Sequence, residues 1–243
     1  MSERKPKMTA AELMKSLEAD PTFIAMTRER EQKLAILEAA FSANERPLVQ
    51  ALNAVGFPVR SVWDLVNTTR DYERAIPILA EHFSRPYHPK IREGIARSLI
   101  VDKSKGIGTR ALVAAFRTAP THTEEEVQVK TIIGMAIATL GDEMVEADVR
   151  ESLQNTDHGT CRALLPKYYS RVGGLEVNQI LIDSAVGADP EMIIQILETL
   201  LDRNATDAKP FAKSMTEHPN NHVAQVARRV LTNLGSKHPK SAL

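Results

Sequence analysis

Cysteine is nearly missing from this chain: Cys161 is the only one in 243 residues. One thiol excludes an internal disulfide, and the expectation is a reducing, cytoplasmic setting. Aromatic residues reach only 5% of the chain. With alanine, leucine and isoleucine plentiful instead, the core is expected from aliphatic helix ridges and not from a sheet. No apolar run approaches the roughly 18–20 residues of a membrane span, and the opening MSERKPKM has no apolar segment of a signal peptide. Catalytic signatures are missing too. No glycine-rich loop follows a strand pattern, and neither a nucleophile elbow nor HExxH occurs, so no enzyme activity and no cofactor are expected.

Charge of one sign is thin in the middle. Residues 119–202 hold five Lys+Arg against fifteen Asp+Glu, net −10, whereas 1–70, 71–118 and 203–243 stand at +1, +4 and +5. A protein tracking nucleic acid would keep one basic face along its length, and an acidic middle opposes that.

What is present is one helix written several times. Residues 88–99 read HPKIREGIARSL. Proline suits a helix's first turn, where its missing N–H has no partner anyway. Ile91, Ile95 and Leu99 then form a narrow apolar stripe with small Ala96 beside it. Similar second helices are expected near Thr123, His158, Pro190 and Pro219, with starts 35, 35, 32 and 29 residues apart. First helices are expected near Asp71, Gly108, Glu143, Leu175 and Ala208. A period of roughly 30–40 residues is that of helical-pair solenoids. The third second-helix carries Pro166, which should kink it or make its start irregular.

Upstream, residues 1–8 read as a disordered tail and 9–70 as a helical cap; the solenoid covers 71–235 and a second tail 236–243. Within the cap, Thr9 and Glu12 have capping-box spacing. A helix from Pro21 to about Ala43 is expected to bury Leu34, Leu37 and Phe41, followed by a separate one at 48–55 ending on Gly56. A short helical piece then spans 61–67.

His-Pro-x-Ile-Arg followed by Ile-Ala and Leu resembles the second helix of a HEAT repeat. With VWDLVN at 62–67, AIPILAEHFSRPYHPKIREGIARSL at 75–99 and the opening MTAAELMKSLEADP, the chain resembles small bacterial HEAT-repeat proteins. That resemblance implies an all-α superhelix of about five helix pairs behind an N-terminal cap. It implies no activity. Lys130 and Arg162 match the position of Arg92, while Ile193 and Ala224 depart from it in the last two pairs.

The residues five further on are Arg97, Met135, Lys167, Glu198 and Arg229. In such solenoids the second helices line the concave surface, so this row, with Glu93 beside Arg97, is expected to face a protein or peptide partner. Glu93 and Arg97 stand one turn apart and should pair at the surface. Trp63 and Asp64 form a second candidate, against the plainer expectation that Trp63 packs under the N-terminal helices and Asp64 caps a turn. His158 with Cys161 and His218 with His222 have metal-compatible spacing but no further ligands nearby, and Cys161 reads as a buried small hydrophobe. Lys103, Lys105, Arg110 and Arg117, with Arg92 and Arg97, make the one basic cluster. Three functions stay open: a scaffold holding a partner protein, a nucleic-acid binder or HEAT-like DNA glycosylase, and a chromophore-lyase-like or chaperone-like helper.

Overall fold

A computed structural model describes residues 9–234, apart from the side chains of Glu12, Leu13 and Leu17. The tails expected at 1–8 and 236–243, and the capping role of Glu12, lie outside the described residues. Every regular element among the described residues is helical. No helix among them is long and apolar enough to cross a membrane.

The chain divides into two compact units, Met1–Arg46 and Pro47–Leu243. Helix α1 spans Ala10–Glu18 and α2 spans Pro21–Ala54. One continuous 34-residue helix therefore replaces the two expected, and Pro47 lies inside it. A proline removes one backbone bond, and the remaining ladder carries the helix through. The expected burial of Leu34 and Leu37 fails as well: they are 49% and 54% exposed, with Ile36 at 69%. The only other described helix of that unit is nine residues long, too short to cover the stripe. Periodicity identifies an apolar stripe but does not supply the element that would cover it.

In the second unit α3 (Trp63–Val66) is followed by first helices α4 (Ile76–Phe83), α6 (Ile107–Thr118), α8 (Glu146–Gln154), α9 (Glu176–Ser184) and α11 (Lys209–Met215). Their second helices are α5 (Pro89–Ser98), α7 (Glu124–Leu140), a 3-10 segment (Thr156–Ser170), α10 (Pro190–Asp202) and α12 (Asn221–Asn233). Each second helix packs on the next, α5 on α7, α7 on the 3-10 segment, that segment on α10 and α10 on α12. The core sits along these contacts, in Ile91, Ile95, Leu99, Ile133, Ile137, Leu165, Ile196, Leu200, Val223 and Val230.

The third second-helix departs furthest from an α-helix. It is a 15-residue 3-10 run interrupted at Gly159 (φ 54°, ψ −140°) and containing Pro166. Such runs seldom exceed three or four residues. Here the glycine breaks the hydrogen-bond ladder early and the proline withholds a donor later, so no α-helical stretch forms between them.

Helix ends are closed by side chains. Thr123 and Glu126 form a capping box on α7, and Gly141 ends that helix in the left-handed conformation. Basic residues meet the carbonyls at C-termini, where the helix dipole is negative. Lys130 Nζ donates to Ala119 O (3.2 Å) and Arg162 to Leu153 O (2.8 Å). Arg228 reaches Thr216 O (3.1 Å), and Arg171 reaches Thr139 O (3.1 Å). Arg203 holds the carbonyls of Tyr169, Val172, Gly173 and Gly174.

Candidate functional site

The site is built on α5. His88 Nδ1 accepts from the Lys90 amide (3.2 Å) with Pro89 at the first helical position, and Ile91, Ile95 and Leu99 turn inward. Gly94 faces α3. A Cβ there would lie 2.4 Å from Val62 Cγ1 and 3.1 Å from Trp63 Nε1, so glycine is what lets the Trp63 ring approach α5. Trp63 is partly buried against α5, with Lys90 Nζ 4.8 Å from its ring centroid. Asp64 caps the turn before it, accepting from the amides of Arg60 (2.7 Å) and Ser61 (3.2 Å).

Glu93 was expected at the surface and is 5% exposed. Its two oxygens accept from Lys90 Nζ (3.0 Å) and Arg97 Nε (2.9 Å). Burial pushes its carboxyl up, but the hydrogen bonds from both cations outweigh that and hold it below the usual range. The i, i+3 and i, i+4 spacing places these groups on the face where α5 meets Trp63, which spacing alone did not show. Sequence reading missed Lys90 and Gly94; the signal available was a glycine inside an otherwise strong helical pattern.

Along the rest of the row, Met135 is partly buried and Lys167 exposed. Glu198 and Arg229 pair across α10 and α12 at 2.7 Å, so the row is partly satisfied internally. Asp202 lies close enough to feel both Glu198 and Lys167; burial first, then Glu198, raises its carboxyl. The basic cluster is dispersed in the same way. Lys103 is held by Asp71 and Glu73, Lys105 by Asp102, and Arg117 by Asp148 and Glu151. Arg110, by contrast, is exposed and has no ion pair among the described residues.

Cys161 is buried and its thiol donates to Val127 O of α7 (3.8 Å). His158 packs edge-on against Phe116 at 4.9 Å between ring centroids. Among the described residues, no three His, Cys, Asp or Glu side chains converge to hold a metal ion.

Two histidines set an expected pH response. Burial lowers His82, with Arg85 adding to it; burial also lowers His158, followed by Lys130, Arg117 and Arg162, while Asp157 opposes. Both folded values therefore lie below the unfolded 6.5. The unfolded state binds more protons as pH falls through that value, so stability drops there before the carboxylates titrate. Melting temperature measured between about pH 8 and pH 5 should show this step. His158→Leu should shrink it, and an unchanged step would refute the role of His158.

No protein-family model matches the chain, and no curated protein and no solved structure is similar to it.

Proposed function

We propose that the second unit is a HEAT-like solenoid of helix pairs, a cytoplasmic scaffold that binds a protein or peptide partner across its second helices. One observation carries this reading. Arg229 and Glu198, in the same register on neighbouring second helices, touch each other. Residues five beyond the Arg92 position are thereby neighbours on adjoining elements, as a stacked array requires. The surface so formed mixes Trp63, Lys90, Arg97, Met135, Lys167, Glu198, Asp202 and Arg229. Aromatic, methionine and arginine side chains with charges of both signs suit a protein surface better than a polyanion.

Lys167 is the row's most available charge, exposed and without an ion pair among the described residues. Each exposed pair to a partner contributes up to about 1 kcal/mol, or roughly fivefold in affinity. Partners captured by the wild-type chain should therefore bind Lys167→Glu and Arg97→Glu several-fold more weakly, and more so at low salt. Equal capture by a folded double variant would move the binding surface elsewhere.

A further inference from the structure

We propose that Arg92 and the cavity it lines form a binding site for a single carboxylate, separate from the row on the second helices. Arg92, Lys130 and Arg162 occupy the same position in three successive pairs. The latter two close the first helix of their own pair through Ala119 O and Leu153 O. Arg92 does not. The last turn of α4 closes on itself, with the Ser84 amide donating to Glu81 O (3.3 Å) and the Arg85 amide to His82 O (3.0 Å). Arg92 makes no hydrogen bond or ion pair among the described residues; its buried Nε is an orphan donor, as is that of Arg162, but Arg162 also has a carbonyl partner. A buried donor without a partner is costly, which makes it a strong acceptor-seeking group.

The guanidinium is held in place nonetheless. Its central carbon lies 5.7 Å from the Phe83 ring centroid. It borders a cavity of about 90 Å³ walled by Tyr87, Pro89, Ala119, Pro120, Glu126 and Val129. That volume is roughly three waters' share of liquid, enough for a carboxylate on a short stem and little more. The planar fork of arginine matches a carboxylate in two parallel bonds.

Glu126 at the rim sets the selectivity. Its Oε2 accepts from the amides of His122 (2.8 Å) and Thr123 (3.2 Å), which anchors its charge at the N-terminus of α7. A negative charge fixed there already attracts Arg92 without bonding to it, and it opposes an incoming anion, a dianion more than a monoanion. Acetate should therefore bind better than phosphate. The carboxylate has two sources, a small free acid or an acidic side chain of a peptide.

The full chain, labelled with ¹⁵N, would be titrated with sodium acetate against sodium chloride at equal ionic strength and neutral pH, following Arg92 Nε–H and the Val129 amide. Parallel titrations would use phosphate and a capped peptide with one aspartate. A saturable shift in acetate, at least about tenfold weaker in Arg92→Gln and weaker for phosphate, is the expected result. Acetate alone acting would mark a free acid as ligand, and tighter peptide binding a protein side chain. Shifts matching chloride, shifts unchanged in Arg92→Gln, or phosphate binding more tightly than acetate would each overturn the assignment. The wild-type titration decides the matter even if Arg92→Gln does not fold.

Discussion

Phe116→Ala is expected to cost about 3–5 kcal/mol, the range for truncating a fully buried aromatic residue. Phe116 has no exposed surface and stands where α6, α7 and the 3-10 segment meet. The His158 ring packs on its edge at 4.9 Å, and Lys130 Nζ lies 5.4 Å from its centroid. Gly134 leaves room for it, since a Cβ there would come within 3.2 Å of Phe116 Cε2. Alanine would open a cavity and also remove the π face beside a buried ammonium. Lys130 is 4% exposed and meets no carboxylate among the described residues. Equilibrium urea unfolding should show the midpoint falling with little change in slope. A loss below about 1 kcal/mol would mean that the three elements are not locked through this ring.

Arg203→Met should be nearly as harmful, at about 2–4 kcal/mol, because one side chain serves four carbonyls. Arg203 donates to Tyr169, Val172, Gly173 and Gly174, and its Nε donates to Asn178 Oδ1 at 2.9 Å. Asn178 in turn donates to both oxygens of Asp207 (3.0 and 3.1 Å). Gly173 and Gly174 are exposed, so water replaces part of what is lost. The carbonyls of the buried residues Tyr169 and Val172 have no such recourse. Lysine offers a point charge where a five-donor fork is in use, so Arg203→Lys should recover little of the loss. Hydrogen exchange would localise the effect to residues 169–178 and 203–208. Uniform exchange across the chain, with stability unchanged, would sink the idea.

Much of the helix order was legible because it rests on local chemistry. The His-Pro start at His88, the left-handed Gly56 (φ 93°) and the acidic opening of α7 each act within one turn, so the sequence displays them directly. What depends on distant partners was not legible. Leu34 and Leu37 carry a proper apolar spacing, but whether anything covers them is decided by another element. Glu93 looked like a surface acid because burial to 5% exposure depends on elements packed against α5, which spacing within the helix does not display. Arg203 had no signature at all, since its partners lie about thirty residues upstream and are backbone atoms. The 3-10 segment was only half visible, Pro166 announcing irregularity while Gly159 passed unnoticed.

The closure of helix ends by basic side chains has a direction in time. Three of the five first helices are completed from within their own pair, α6 by Lys130, α8 by Arg162 and α11 by Arg228. Two of the second helices are completed by what comes later, α7 by Arg171 and the 3-10 segment by Arg203. A chain emerging from the ribosome therefore holds the second and third pairs slightly unfinished until the next has been made. A nascent chain stopped before Arg203 would carry the carbonyls of Tyr169 and Val172 without their donor. Synthesis at roughly 5–20 residues per second puts a delay of a few seconds between a pair and its completion.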